Sequence, residues 1–264
     1  MSSAFTPADA SLADIGRDLA KMVEAAAEVI LPFWRTELNV EHKADESPVT
    51  EADKAGEKVI LALLAQHYPD IPAISEEQAC EYGTPDSIGP RFFLVDPVDG
   101  TKAFVRGDPN FTVNIGLIDN GAPVAGAVCA PATGEVWFTT AAGVIKRDGP
   151  DAPETPVHVR AWPEGQALAL VSHTMKEDKA TALADQYGFS QRAPMDSSIK
   201  LARIAEGTAD IYPRHGPTME WDTAAGHALI IAAGGRFTTP EGEPFIYGKA
   251  DQGFRNGWFV ARGA

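Results

Sequence analysis

The sequence predicts a mixed α/β fold of the α+β kind, on three observations. Apolar residues recur at helical spacing through the N-terminal quarter of the chain. A long middle stretch, 71–147, alternates short apolar runs with turn residues, as a strand meander does. Beyond residue 153, strand-like and helix-like runs alternate.

The elements follow in order. Thr6-Pro7-Ala8-Asp9 or Ser11-Leu12-Ala13-Asp14 caps a first helix. Ile15, Leu19, Met22, Val23, Ala26 and Ile30 form its buried stripe, to about Trp34. Thr50-Glu51-Ala52-Asp53 starts a second helix with Val59, Ile60, Leu63 and Leu64 on the buried face, ending near Tyr68. Strands are expected at 71–75, 91–96, 112–118, 124–130, 135–140 and 144–147. Asp119-Asn120-Gly121 makes a hairpin of the middle pair. Residues 149–153, rich in Gly and Pro, are the most linker-like segment. The expectation is one catalytic unit, 1–264, with a possible division into lobes 1–150 and 154–264. The second half reads as strand 167–172, helix 176–187, helix 197–205, strand 209–212, helix 223–233 ended by Gly234-Gly235, and strands near 236–237 and 258–260.

The 264 residues are 44% hydrophobic and 22% charged, ordinary values for a globular chain with a substantial core. A net charge of −15 argues against nucleic acid as a partner and against a polybasic membrane patch. No apolar stretch is long enough to cross a membrane, so no integral membrane contact is expected, and the N-terminus has no signal-peptide pattern. Cys80 and Cys129 form neither a disulfide framework nor a zinc motif, which suits a reducing, cytoplasmic setting.

The run Leu94-Val95-Asp96-Pro97-Val98-Asp99-Gly100-Thr101 carries the chemistry. An apolar strand drives into two aspartates. Pro97, without an N–H, and Gly100, which permits a tight bend, are expected to stop the strand there. Further acids sit at other element ends: Glu76 and Glu77 after one strand, Asp222 before a helix, Asp53 in a first helical turn. If these ends converge, the site is an all-oxygen one suited to two or three Mg²⁺ ions and to phosphate-ester hydrolysis. A Thr101 hydroxyl bonded to Asp53 would orient and deprotonate the attacking water. Each residue also has a plain structural use. Thr101 could cap the following helix, Asp53 could complete a capping box with Thr50, and Asp222 could favour a helix dipole.

Ser75-Glu76-Glu77, Asp96-Pro97-Val98-Asp99-Gly100-Thr101, and Trp221-Asp222 followed by Gly234-Gly235 resemble the signatures of the inositol monophosphatase superfamily, in order and over nearly the whole chain. The resemblance implies a layered αβαβα sandwich with Mg²⁺ at its centre. It implies that Glu76, Asp96 and the Val98 carbonyl hold one ion and Asp96, Asp99 and Asp222 a second. Glu76 would also position the nucleophilic water or a third ion. Residues 43–50, Asp99-Gly100-Thr101-Lys102, 111–115 and 216–227 resemble bacterial 3′(2′),5′-bisphosphate nucleotidases of the CysQ type more narrowly. Ala103 departs from the Glu often found there.

That resemblance implies hydrolysis of 3′-phosphoadenosine 5′-phosphate to AMP and phosphate, a by-product removal in sulfate assimilation, with inhibition by Li⁺. It implies a phosphorylated nucleotide as the partner, a monomer or homodimer, and a cytoplasmic location with peripheral inner-membrane association as a family possibility. Glu76, Val98, Asp99, Gly100, Thr101 and Asp222 would surround the cleaved phosphate. Asp196-Ser197-Ser198-Ile199-Lys200 and Tyr212-Pro213-Arg214, through Ser197, Lys200 and Arg214 above all, would meet the second phosphate or the nucleotide, and His173 the base. Lys200 and Arg214 could equally be solvated surface, and His173 structural. His215, His227 and Trp221 read as packing residues. Two alternatives stand beside this reading. One is the same mechanism on inositol phosphate, histidinol phosphate or fructose 1,6-bisphosphate. The other is a non-catalytic nucleotide or metal sensor, against which the full acid set with Thr101 argues.

Overall fold

The computed structural model describes residues 12–36, 41–42 and 48–264. The expected cap of the first helix and residues 43–47 of the nucleotidase-like segment lie outside the described residues. Seven α-helices are described: α1 (Leu12–Ile30), α2 (Glu51–His67), α3 (Glu76–Tyr82), α4 (Thr101–Val105), α5 (Glu177–Tyr187), α6 (Ile199–Ala205) and α7 (Ala224–Ala232). Two short strands, β1 (Glu41–His42) and β2 (Pro48–Val49), pair with each other.

The large sheet runs in chain order through β3 (Ala73–Ser75), β4 (Arg91–Asp99), β5 (Thr112–Asp119), β6 (Ala122–Ala130), β7 (Glu135–Thr140), β8 (Gly143–Asp148) and β9 (Thr155–Val157). Only β3 and β4 are parallel; the rest is an antiparallel meander. The linker-like segment 149–153 falls inside this sheet, since β9 follows it and pairs with β8. The smaller sheet uses β10 (Leu168–Val171), β11 (Gln191–Pro194), β12 (Ile211–Arg214), β14 (Arg236–Thr238) and β16 (Phe259–Arg262). The remaining pair is β13 (Thr218–Met219) with β15 (Arg255–Asn256).

The layers follow from which faces are apolar. In β4, Phe93 and Val95 join one core with α1 and α2, while Phe92 and Leu94 join another with α6 and α7. This period-two alternation buries both faces of the strand. The second core reaches across to Tyr212 and Phe259 of the smaller sheet. That sheet's outer face packs Ala169, Val171 and Ile211 against Leu183 of α5. The order is therefore helices, sheet, helices, sheet, helix: the αβαβα sandwich that the resemblance implied.

Local signals account for most boundaries. Thr50 and Asp53 form a capping box at the start of α2. Asn120 and Gly121 have φ of 50° and 78°, the two left-handed residues that a tight hairpin needs. Three expectations need correcting. The buried side of α2 is Asp53, Gly56, Glu57, Ile60 and Leu64, so Val59 and Leu63 sit at its margin rather than its centre. β11 has no apolar run and owes its strand form to parallel pairing with β10. Pro97 does not stop β4: the strand continues to Asp99 through a bulge, with Asp96 opposite Asn114 and Asp99 opposite Thr112. The extra residue absorbs the missing N–H of proline.

Candidate active site

The bulge matters chemically. Residues three apart in a regular strand point to opposite faces. One inserted residue gives Asp96 and Asp99 the spacing of same-face neighbours. Glu76 comes to the same place because β3 is parallel to β4 and ends at Ser75, level with Val95. Asp222 arrives from the other side of the layer, on the turn just before α7. That helix lies close on the large sheet because the sheet offers no side chains there: a Cβ on Gly116 would stand 2.7 Å from the Ala224 Cβ, and one on Gly126 2.7 Å from the Ala225 carbonyl oxygen.

Backbone N–H groups fix each aspartate. Asp96 Oδ1 accepts from Val98 N at 3.0 Å, Asp222 Oδ2 from Met219 N at 2.8 Å, and Asp99 Oδ2 from Ser198 N. The cluster is electrostatically costly when empty of cations. Asp96 is held well above the usual carboxylate range, first by burial and then by Glu76, Asp99 and Asp222. Asp222 is raised by burial, Asp99 and Glu76, against the opposing pull of Met219 N–H and Arg214. Burial pushes Asp99 up to about 6, although Lys200 and the Ser198 N–H oppose it. Asp96 and Glu76 share a hydrogen bond that requires a proton on one of them. Protons thus occupy the charge balance that a hard dication would supply, and the donor set is all oxygen, which fits Mg²⁺. Among the described residues no three acid, histidine or cysteine side chains are placed to hold a metal ion as they stand. The grouping rests on this mutual coupling.

Asp53 is fully buried. Its Oδ2 accepts from Thr50 N at 2.8 Å and Thr50 Oγ1 at 2.6 Å, and its Oδ1 lies 3.5 Å from Thr101 Oγ1. The Thr101 hydroxyl is 3.0 Å from the Val98 carbonyl, the better acceptor for its single proton. The Thr101–Asp53 contact is therefore within reach but loose, as catalytic hydrogen bonds often are without substrate. Asp53 completes the expected capping box with Thr50 and keeps its other oxygen near Thr101. Thr101 does not cap: Gly100 is the N-cap of α4, with φ of 91°, and a Cβ there would stand 3.0 Å from the Asn110 carbonyl oxygen and the Ser197 Cβ.

Beside the acids lies an open cleft of about 130 Å³ whose lining includes Asp99, Asp222, Asp196, Ser197, Lys200 and Arg214. It has room for a phosphate-sized group next to the acids. Lys200 is buried rather than exposed. It donates to the carbonyls of Ser197 at 2.6 Å and Met195 at 3.1 Å, and burial pulls its pKa down to about 8. Two of its three protons are thus committed to the backbone, a positioning role the sequence did not suggest. Arg214 donates Nη2 to the Pro217 carbonyl at 3.1 Å, while its buried Nε has no partner. Ser197, with φ of 55°, accepts from Ile199 N at 3.2 Å. His173 is exposed, 3.5 Å from Asp196. His227, as expected, packs in the core, stacked on Phe237; burial drops its pKa to about 3. His215 stacks on Trp258, and Trp221 is buried.

Three supporting roles escaped the sequence reading. Ser198 holds Asp99 and links through its hydroxyl to Asn114 Oδ1 at 2.7 Å and Thr112 Oγ1 at 2.8 Å. Glu57 accepts from Glu77 N at 2.9 Å and Gln78 N at 3.2 Å, fixing the first turn of α3 behind Glu76. Glu220, fully buried, receives Gly248 N, Lys249 N and Lys249 Nζ, and so anchors the segment leading to Asp222. For Glu57 a signal existed: it follows Asp53 by one helical turn, in line with Ile60 and Leu64.

A family model described as "Inositol monophosphatase family" matches residues 14–258. The 3′(2′),5′-bisphosphate nucleotidase CysQ of Salmonella typhimurium is 39% identical over 205 residues, 78% of this chain and 81% of that protein. An inositol monophosphatase of Mesembryanthemum crystallinum is 33% identical over 247 residues, 90% of each chain. Among solved structures, CysQ from Bacteroides thetaiotaomicron, described as a bacterial member of the inositol monophosphatase family, superposes with a TM-score of 0.74 at 30% identity, covering 95% of this chain and 97% of that one.

Proposed function

The chain belongs to the inositol monophosphatase family, and from that premise we propose that it is a Mg²⁺-dependent 3′(2′),5′-bisphosphate nucleotidase that converts 3′-phosphoadenosine 5′-phosphate to AMP and phosphate. The observation that carries this reading is the meeting of a carboxylate cluster, buried Asp96 with half-buried Glu76, Asp99 and Asp222, with a cleft that Arg214 also lines. The nucleotidase relatives named above favour this substrate over inositol, histidinol or fructose phosphates. A pure sensor would have no use for Thr101 beside Asp53.

Glu76, Asp96 and the Val98 carbonyl would hold one ion, and Asp96, Asp99 and Asp222 a second, with Glu76 also available to a third. When bound, Mg²⁺ lowers the pKa of a water and offsets charge on the phosphate oxygens. Thr101 Oγ1 orients the attacking water and passes its proton towards Asp53 Oδ1. Thr50 holds Asp53 at its other oxygen, so the acceptor cannot turn away. Ser198 and Asn114 keep Asp99 in place. Gly100 brings the backbone close to the phosphate, and Arg214 and Ser197 meet the phosphate that is not cleaved. Lys200 supports the loop that bears Ser197. The base lies outside the small cleft, on the side of His173.

Cys80 and Cys129 form no disulfide, and no helix among the described residues is long and apolar enough to cross a membrane. The resemblance to the nucleotidases implies a cytoplasmic enzyme, a monomer or homodimer, with any membrane contact peripheral. The test is phosphate release over a panel of bisphosphate nucleotides, inositol 1-phosphate, histidinol phosphate and fructose 1,6-bisphosphate. Preference for 3′-phosphoadenosine 5′-phosphate, with inhibition by Li⁺ at concentrations where Na⁺ has no effect, is expected. Equal or better turnover of inositol 1-phosphate would overturn the substrate assignment.

A further inference from the structure

Asp196 is an anomaly in a cleft meant for an anion. It lines the cleft together with Arg214 and Ser197. Its place is fixed, because the carbonyls on either side of it, Met195 and Ser197, are both held by Lys200 Nζ. Two cationic or potentially cationic side chains converge on it. Arg106 Nη2 stands 2.6 Å from Oδ2, and His173 Nδ1 3.5 Å from Oδ1. They come from different layers: Arg106 follows α4 on the large sheet, and His173 follows β10 on the small one. Both are exposed, and Asp196 is partly buried.

We propose that Asp196 is a specificity-determining residue: it acts as a built-in anion that keeps Arg106 and His173 together beside the cleft, and the non-reacting phosphate of the substrate, met first by Arg214 and Ser197, takes over those partners in addition. This rests on the proposed nucleotidase reading and deepens it. The physical argument is one of exchange. A phosphate offers three acceptor oxygens and more charge than a carboxylate, so it competes well for a guanidinium. An exposed ion pair is weak enough to be broken by such a competitor. A monophosphate seated on the acidic cluster brings nothing to exchange. Asp196 would then repel the second phosphate of a bisphosphate while holding its future partners in position, so its removal strengthens binding and removal of Arg106 weakens it.

The experiment compares kcat/KM for 3′-phosphoadenosine 5′-phosphate and 3′-AMP in wild type, Asp196→Asn, Arg106→Ala and His173→Ala. Both substrates carry a 3′-phosphate, and only the first carries the second phosphate. Asp196→Asn is expected to raise the bisphosphate-to-monophosphate ratio about two- to fivefold through KM, and Arg106→Ala to lower it by a similar factor. His173→Ala should lower it less. The bisphosphate KM should rise more steeply with salt than that of 3′-AMP, and this difference should shrink in Arg106→Ala. Ratios unchanged in all variants, or shifted in the same direction by Asp196→Asn and Arg106→Ala, overturn the inference. The latter would make the pair a structural tie between layers. A wild-type enzyme with no bisphosphate activity would instead overturn the substrate reading, before any variant is made.

Discussion

Asp96 and Asp222 sit where one lost charge has the largest effect. Asp96 is buried and Asp222 half-buried among other carboxylates, and each is anchored by a single backbone N–H, so asparagine fits the space and keeps the anchor. Asp96→Asn and Asp222→Asn are expected to fold, and to lose activity by a factor on the order of 10²–10³. Near wild-type turnover at limiting Mg²⁺ would sink their role. Arg214 and Lys200, paired in the sequence reading, part company here. Arg214→Ala should weaken 3′-phosphoadenosine 5′-phosphate by roughly ten- to a hundredfold, the loss of a contact worth ~1.5–3 kcal/mol, with a much smaller effect on 3′-AMP. Lys200→Met should instead cost about 1–3 kcal/mol of stability, because the Met195 and Ser197 carbonyls lose their donor, and should depress both substrates alike. Denaturant melts alongside kinetics on both substrates distinguish the two outcomes.

At the scale of elements, the site depends on how tightly α7 lies on the large sheet. Gly126 stands so close to α7 that a Cβ would meet the Ala225 carbonyl oxygen at 2.7 Å and its Cα at 2.9 Å. Gly126→Ala is therefore expected to destabilise by about 1–3 kcal/mol, the usual range for overpacking. It should also weaken Mg²⁺ binding measured by calorimetry, because α7 carries Asp222 on its leading turn. Full stability with unchanged metal affinity would show that the approach has slack. Helices α1 and α2 and the hairpin at Asn120-Gly121 were legible because caps, apolar spacing and turn residues are local signals. β11 was not, since its strand form is borrowed from β10. Nor was the passage of β4 through Pro97, because a bulge exists only in relation to the partner strand.

For the molecule as a whole, the acidic centre links metal, proton and stability. Asp99, at about 6, and Asp96 and Asp222 all lie above the ordinary carboxylate value in the folded state. In the metal-free protein their contribution to stability is present in full below that ordinary value, ~3.9, and is lost as pH rises through about 6 and beyond. Mg²⁺ must displace the protons held there, so it binds better as they leave. The rise in Tm on adding Mg²⁺ should therefore grow between pH 5 and pH 8. His227 works in the opposite sense, its stability being lost as pH falls from about 6.5 towards about 3, but the folded protein holds it neutral between pH 5 and pH 8 with or without Mg²⁺, so it cancels in the difference. A gain independent of pH, measured by thermal melts with and without Mg²⁺, would count against the carboxylate cluster as the ion site. The net charge of −15 sharpens the demand for cations at the cleft, which Arg214, Arg106 and Lys200 share.

The sequence by itself determined the mixed α/β class, the long helices, the meander and the identity of the acids, because helix caps, side-chain periodicity and strand ends are written in neighbouring residues. Asp96, Asp99, Glu76 and Asp222 stood out for that reason: each follows an apolar run or precedes a helix-like one. Only the tertiary structure decided what each side chain faces. It turned Asp96 and Asp99 to one side through a bulge and drew Lys200 inward beneath the loop at 195–198. It recruited Ser198, Glu57 and Glu220 as supports and set Asp196 between Arg106 and His173. These are contacts between residues far apart in the chain, and their energies depend on burial and on partners supplied by other layers. Composition and spacing carry no record of such partners.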